Sequence, residues 1–327
     1  MRATKRLEWG ARAGTPVPAT VDSPSAVIMK FPLRHTLLAS FSMLAAACTT
    51  PTLVNRGDYY ADTSLPARSV DSRIRFLVMH YTEIGEAPSL RVLTQENVSA
   101  HYVVPDAPRT ERGAPVVYQL VPESERAWHA GVSAWQGATE LNGVSIGIEN
   151  VNRGPIDTPH GRMWAPYPPA QVDAIVRLAK DIVARYRIPP TRVVGHSDIA
   201  PQRKIDPGPL FPWRALAKAG VGAWPDDETV AARLAGRPPK SLVDVRELQL
   251  KLARYGYDVA TDGVLDDRTR RVFSAFQMHF RPTDYAGNPD AETDAIAQAL
   301  LDKYMPSQPA PERDAAALDA ASGVAAQ

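Results

Sequence analysis

The feature that most constrains the fold is a proline-rich segment at residues 193–209, which reads VVGHSDIAPQRKIDPGP. Proline fixes φ and lacks a backbone N–H, so Pro201 and Pro207 prevent a regular helix and predict a shaped loop. Pro207 also favours extended backbone at Asp206. In extended chain, residues two apart face the same way, so Lys204 and Asp206 are predicted to point into a common space.

The same segment carries the side chains of a candidate metal site. Imidazole and carboxylate are good zinc ligands, which makes His196 and Asp206 candidates, and a lysine such as Lys204 can stabilise an oxyanion. A catalytic zinc needs three protein ligands and one open position for water. The best third candidate is His80, because it ends the apolar run 74–80 and a buried strand holds a ligand at its end rigidly. The alternative is that Lys204 and Asp206 form only a salt bridge.

A second run, VSIGIEN at residues 144–150, contains a candidate general base. Its residues alternate between two faces, and Ser145, Gly147 and Glu149 share one of them. Two small residues beside a carboxylate leave room for a bound group, and a carboxylate there can move protons. Taken alone, this alternation is more typical of a half-exposed strand whose glutamate lies on the surface.

The N-terminal region resembles a bacterial lipoprotein signal. A basic start at Met29 precedes an apolar stretch, 37–47, which is too short to span a membrane and ends at Cys48, the single cysteine. We therefore predict that residues 1–48 are a misassigned start followed by a signal peptide. Lipidation of Cys48 would place the protein on the periplasmic face of the outer membrane. The alternative is an ordinary signal peptide with an incidental cysteine.

Length and charge limit the remaining organisation. A chain of 327 residues suggests about two domains, and a net charge of +1 implies no bulk attraction to nucleic acid. We predict the following segments after residue 48: a polar tether, 49–70; a catalytic domain, 71–224; a linker, 225–240; a small three-helix domain, 241–305; and a disordered tail, 306–327.

The order of apolar patterns predicts an α/β fold with a mixed central β-sheet flanked by helices, plus the small three-helix domain. The clearest element is an amphipathic helix at about 170–187, whose apolar face is expected to be core. Phe273, Phe276 and Phe280 fall at helical spacing, and we interpret them as core rather than as a platform for sugars.

From about residue 70 to 215, the chain resembles the zinc-dependent N-acetylmuramoyl-L-alanine amidases of the AmpD and AmiD type. The resemblance lies in the shared order of several short stretches, each weak alone: VMHYT at 78–82, VSAHY at 98–102, YQLV at 118–121, AWHAG at 127–131, LN with SIGIEN at 141–150, and GHSDIAP with KIDPGP at 195–209. It implies the fold that these amidases share with phage lysozyme-type amidases and peptidoglycan recognition proteins.

The resemblance also implies a mechanism. Zinc would bind His80, His196 and Asp206, Glu149 would be the catalytic acid and base, and Lys204 would be the second catalytic residue. The reaction would be hydrolysis of the amide bond between MurNAc, with or without its 1,6-anhydro form, and L-Ala of the stem peptide. Such an enzyme serves remodelling or recycling of the cell wall.

Three further side chains have weaker assignments. Trp128 and His129 are predicted to contact substrate, although a structural hydrogen bond is an equal alternative for His129. His101 is predicted to be structural or to support a ligand.

The C-terminal segment resembles the common peptidoglycan-binding domain, through DVRELQ at 244–249, YGY at 255–257, DGV at 262–264 and AFQ at 275–277. The partners predicted are therefore peptidoglycan and muropeptides, with a lipid anchor at Cys48, no nucleic acid and a monomeric protein. Two alternatives remain: a peptidoglycan-recognition lipoprotein that binds without cutting, and a zinc hydrolase that cuts within the stem peptide.

Overall fold

The computed structural model describes residues 52–159 and 161–306, and the chain separates into two units, residues 1–68 and 69–327. In the first unit, β1 (Leu53–Asn55) and β2 (Tyr60–Asp62) form an antiparallel hairpin. Asn55 accepts a hydrogen bond from the backbone N–H of Gly57 at 2.8 Å, and Gly57 has a φ of 95°. The segment predicted as a plain tether, 49–70, therefore contains a hairpin, because this local turn needs no buried core.

The second unit is built on a five-stranded sheet whose strand order is β13-β3-β10-β4-β7, with β7 antiparallel to its neighbour and the other pairs parallel. The strands of the unit are β3 (Phe76–Tyr81), β4 (Tyr102–Val104), β5 (Thr110–Glu111), β6 (Ala114–Pro115), β7 (Tyr118–Gln119), β8 (Ala134–Trp135), β9 (Ala138–Thr139), β10 (Ser145–Asn150), β11 (Pro155–Thr158), β12 (Gly161–Trp164) and β13 (Val193–Gly195). Every residue of β3 is buried, as expected for a parallel strand covered on both faces.

Helices surround this sheet. They are α1 (Glu86–Gln95), α2 (Pro169–Tyr186), α3 (His196–Ile199), α4 (Trp213–Lys218), α5 (Asp227–Leu234), α6 (Val245–Tyr255), α7 (Asp267–Phe280) and α8 (Ala291–Tyr304). The buried face of α2, which includes Ile175 and Ile182, packs against Leu77 and Ile148 of the sheet, as the helical spacing predicted. Among helices of the described residues, none is both long and apolar enough to cross a bilayer.

The last three helices begin in the same way. The side chains of Asp244, Asp266 and Asp290 each accept the backbone N–H three residues on, at 3.0, 2.8 and 2.9 Å. Such N-caps satisfy donors that a helix start leaves free, typically stabilising it by about 1 kcal/mol. Phe273 and Phe276 are fully buried, which confirms that these rings are core.

The helical module shares its core with the sheet. Phe76 and Trp135, from the segment predicted as the catalytic domain, belong to the same buried cluster as Leu248, Tyr255 and Phe276 of α6 and α7. The two predicted domains therefore form one packed body rather than two bodies joined by a flexible chain.

The segment predicted as a linker, 225–240, also differs from expectation. It contains α5, which packs against α8 and is held there by an ion pair of 2.7 Å between Arg233 and Asp302. Arg237 forms another with Asp294 at 3.2 Å. The helix has no buried residue of its own, so its sequence lacks the apolar stripe that would have predicted it.

Candidate metal and catalytic site

Two histidines and one aspartate converge at one edge of the sheet. The Nδ1 atoms of His80 and His196 lie 3.0 Å apart, and each lies 3.1 Å from Oδ2 of Asp206. All three residues are buried. A tetrahedral cation such as zinc, with ligands at about 2.0–2.1 Å, holds its ligand atoms about 3.3 Å apart, so these three side chains fit it.

The fold brings these residues together from distant parts of the chain. Strands β13 and β3 pair in parallel, so His196, which follows β13, lies next to His80 near the end of β3. The backbone N–H of Ser197 donates to the carbonyl of Asp206 at 2.8 Å. Tyr167 donates to the carbonyl of Pro207, also at 2.8 Å, and so fixes the loop beside Asp206.

Burial sets the charge of the ligands. It lowers the pKa of His80 to about 4, with a further contribution from His196. Burial alone would raise the pKa of Asp206, but the neighbouring His196 and His80 outweigh it and lower that pKa. His80 is therefore neutral and Asp206 ionised at neutral pH, and these are the forms that bind a divalent metal.

Glu149 lies beside the ligands. It is the residue of β10 that pairs with His80 of β3, so both side chains leave the sheet on one face. Its Oε2 is buried and has no hydrogen-bond partner among the residues described. Burial, followed by repulsion from Asp206, raises its pKa well above the usual range. A buried carboxylate oxygen without a partner is costly, and such groups are typical of functional sites.

A cleft of about 390 Å³ opens onto this cluster. Lys204 lines the cleft together with Glu149, and its charge favours the ionised form of Glu149. Trp128 lines it too, and its side chain is 53% exposed, with the guanidinium of Arg126 lying 3.8 Å from its ring centre. Lys204 and Trp128 thus both line the cleft, and their roles in catalysis and substrate binding stay predictions.

His129 also lines this cleft, but its ring nitrogens already have partners, and its predicted contact with substrate stays a prediction. It is only 9% exposed, and its Nδ1 lies 3.0 Å from Nε2 of His80. Its Nε2 lies 3.1 Å from Oγ of Ser145. A Cβ added to Gly147 would lie 2.5 Å from the His129 ring, so the space that small residues were predicted to leave for a bound group holds this imidazole.

The roles of two residues that support the site were not predicted from the sequence. The amide oxygen of Asn142 accepts the backbone N–H groups of His129 and Ala130, at 3.0 and 2.7 Å. Arg203 donates to the carbonyls of Ala130 and Val132. Neither interaction follows a local spacing, so no sequence pattern indicates them.

The other predicted residues are placed as follows. His101 is buried, accepts the backbone N–H of Gly147 at 3.1 Å and lies 3.3 Å from the carbonyl of Glu125, so it has a structural role. Cys48, the predicted site of lipidation, lies outside the described residues.

Two family profiles match the chain. Residues 70–209 match the family described as N-acetylmuramoyl-L-alanine amidase. Residues 241–296 match the putative peptidoglycan binding domain. The first match contains every residue of the site described above.

Individual proteins also match the chain. The chain is 53% identical over 268 residues to N-acetylmuramoyl-L-alanine amidase AmiD of Escherichia coli (strain K12), covering 82% of this chain and 97% of that protein. It is 44% identical to the 1,6-anhydro-N-acetylmuramyl-L-alanine amidase AmpD of Enterobacter cloacae over 97 residues, 30% of this chain and 47% of that one.

Solved structures agree with these matches. The complex of E. coli AmiD with anhydro-N-acetylmuramic acid-L-Ala-D-gamma-Glu-L-Lys superimposes with a TM-score of 0.74 at 55% identity, covering 77% of this chain and 98% of that chain. AmpDh3 from Pseudomonas aeruginosa, in complex with anhydromuramic pentapeptide, gives a TM-score of 0.66 at 40% identity with the same coverage of each chain.

Proposed function

The chain belongs to the N-acetylmuramoyl-L-alanine amidase family, and we propose that it hydrolyses the amide between MurNAc and L-Ala with a zinc ion held by His80, His196 and Asp206. The observation that carries the proposal is the convergence of these three ligand atoms in a cleft beside the unpaired carboxylate of Glu149. A binding protein without activity would have no use for that costly carboxylate.

The residues of the cleft divide the chemistry. Bound zinc would supply Lewis acidity, lowering the pKa of water and polarising the scissile carbonyl. Glu149 takes a proton from the attacking water as the new C–O bond forms, and its raised pKa allows it to hold that proton. It then delivers the proton to the amide nitrogen as the C–N bond breaks, which releases the lactyl carboxylate and the free amine of L-Ala. Lys204 stabilises the developing oxyanion.

We propose 1,6-anhydro-MurNAc peptides as substrates, with intact peptidoglycan as a further one. The support is the similarity to two amidases solved with anhydro-muropeptides. Trp128, exposed at the cleft, offers an apolar ring for the sugar or the first peptide residues, and the helical module adds a domain related to peptidoglycan-binding proteins.

We also propose that the protein is a monomeric lipoprotein on the periplasmic face of the outer membrane, anchored through Cys48. The support is the lipoprotein-like signal ending at that cysteine. Labelling of cells with a radioactive fatty acid should mark the wild-type protein and leave Cys48→Ala unlabelled. Equal labelling of the two would exclude anchoring at Cys48, and light scattering of the mature protein tests the monomer.

The test of the reaction is mass analysis of products from a purified anhydro-MurNAc tripeptide and from isolated sacculi. We expect a free peptide with L-Ala at its amine terminus, and no product with chelator-treated protein. Glu149→Gln is the control, because it keeps the zinc ligands while removing the proton carrier. A new amine terminus on a later residue would identify a stem-peptide hydrolase instead, and no cleavage by zinc-loaded wild type would exclude both.

A further inference from the structure

We propose that His129 is a positioning residue that fixes which ring nitrogen of His80 faces the metal. It does so through a hydrogen-bond chain that runs from His80 through His129 and Ser145 to the carbonyl of Leu141. The inference rests on the proposed metal site, and the residues that it adds, His129 and Ser145, are not among the three ligands.

The direction of the chain follows from its last member. A carbonyl oxygen only accepts, so Ser145, whose Oγ lies 2.6 Å from the Leu141 carbonyl, must donate its single hydroxyl proton there. Oγ of Ser145 is then an acceptor for the Nε2–H of His129 at 3.1 Å. A neutral imidazole with its proton on Nε2 has a free lone pair on Nδ1.

The same logic sets the state of His80. Nδ1 of His129 lies 3.0 Å from Nε2 of His80, so it accepts the proton carried there. The lone pair of His80 is thereby placed on Nδ1, the atom that lies 3.0–3.1 Å from His196 and Asp206. Metal-binding histidines are commonly oriented by an acceptor on the other nitrogen, but here that acceptor is a second histidine whose own tautomer is set.

The packing holds the His129 ring in place. Ser145 is fully buried and His129 is 9% exposed. Gly147 lies against the His129 ring, where a Cβ would overlap it at 2.5 Å. On the other side, Asn142 holds the backbone of His129 through its amide oxygen. The ring therefore has one available position, and its loss would leave Nε2 of His80 without an acceptor.

The experiment measures zinc affinity by competition with a chromophoric chelator, using mature protein with both modules. We expect His129→Leu to bind zinc about 10–100-fold more weakly than the wild type, the usual effect of losing such a partner. His129→Asn, which keeps an acceptor near the position of Nδ1, should recover part of the loss. The matched control is His279→Leu, a buried histidine whose hydrogen bond goes to Asp198 rather than to a ligand, and it should retain wild-type affinity.

A second pair of variants avoids removing any polar group. Gly147→Ala should push the His129 ring away and mimic its loss, because the new methyl group overlaps the imidazole. Gly143→Ala is its control, since a Cβ there meets no atom within 4 Å. Equal zinc affinity in Gly147→Ala and Gly143→Ala, with folding shown by circular dichroism, would contradict the proposal.

A third measurement separates this inference from the proposed function. Nitrogen-15 NMR of imidazole-labelled, metal-free protein should show His80 with its proton on Nε2 in the wild type, and a mixture of tautomers in His129→Leu. An Nδ1-protonated His80 in the wild type would overturn the inference whatever metal binds. A wild-type protein with this tautomer but no affinity for zinc would instead overturn the proposed function.

Discussion

Two buried clusters in this protein combine histidine with aspartate, and they lie on either side of α3. One is the candidate metal cluster, formed by His80, His196 and Asp206, and His196 is the first residue of that helix. The other joins Asp198, in the same helix, to His279 of α7, with 2.7 Å between Oδ2 and Nδ1. Asp198 is 1% exposed and His279 is 4% exposed, so burial alone does not distinguish the two clusters.

The two clusters differ in the number of hydrogen-bond donors that surround their acceptor atoms. Asp198 also receives the hydroxyl of Tyr257 at 2.6 Å and the N–H of Gly195 at 2.7 Å, so its oxygens are surrounded by donors. The ring of His279 stacks on Trp213 with 3.8 Å between centres. In the metal cluster, ring nitrogens and a carboxylate oxygen crowd together with no N–H or O–H donor in the middle. Crowded acceptors are typical of a cation-binding site, whereas an acceptor surrounded by donors is typical of a structural link.

The largest expected effect comes from breaking the metal cluster. His196→Ala removes one of three ligands, and we expect zinc to be lost and turnover to fall by about 1000-fold or more, since a catalytic metal contributes several kcal/mol to the barrier. Metal analysis and product formation check this. Retention of one zinc per chain with normal turnover would show that both clusters are structural links and that neither holds the catalytic metal.

Removal of the proton carrier should have the next largest effect. We expect Glu149→Gln to bind zinc as the wild type does and to lose about 10²–10⁴-fold in kcat, the usual contribution of general acid–base catalysis. Single-turnover kinetics on an anhydro-muropeptide measure it. A loss confined to KM would assign Glu149 to substrate binding instead.

Lys204→Met tests the oxyanion role. We expect kcat to fall by about 10²–10³-fold, with zinc affinity unchanged, because one electrostatic contact to the transition state is removed. Lys240→Met serves as a comparison, since that lysine is exposed and pairs with Asp284 outside the cleft, and its loss should leave kcat unchanged. Turnover unaffected by Lys204→Met would leave the oxyanion to the metal alone.

The structural cluster should respond in stability rather than in zinc affinity. Tyr257→Phe removes a buried hydrogen bond to the charged Asp198, and we expect the free energy of unfolding to fall by about 1.5–3 kcal/mol. Urea denaturation measures it, with the exposed Tyr59→Phe as a control. Zinc affinity should stay near that of the wild type. A loss of zinc without a loss of stability would join the two clusters functionally.

The smallest effect is a dependence of stability on pH in the metal-free protein. Because the pKa of Glu149 is raised in the folded state, its ionisation has no effect on folding below pH 4.5, its ordinary value, and opposes folding as the pH rises above it. Glu149→Gln should therefore stabilise the protein at pH 7 by about 1–2 kcal/mol, and this gain in stability should vanish below pH 4.5. A gain independent of pH would show that the charge is not its cause.

Much of the fold follows from local patterns. The buried strand at 74–80 and the helix at about 170–187 are found close to where the apolar run and the helical spacing predicted them. The amidase assignment is also confirmed. The missed elements include the hairpin near Gly57 and α5, because neither buries the apolar face on which such predictions depend.

The site divides in a similar way. Residue types and their flanking motifs were enough to select His80, His196 and Asp206, and the structure brings them together although His80 lies 116 and 126 residues from the other two. The proposed role of His129 could not be predicted, because it depends on the space beside Gly147 and on an acceptor, Ser145, that lies in β10.

The sequence by itself determined which chemical groups are available and which segments are helix or strand, because both depend on residue identity and short-range spacing. Only the tertiary structure decided which ring nitrogens meet, which carboxylate is left without a partner, and that the helical module shares its core with the sheet. These outcomes depend on distances between atoms far apart in the chain, and those distances are set by how the layers pack.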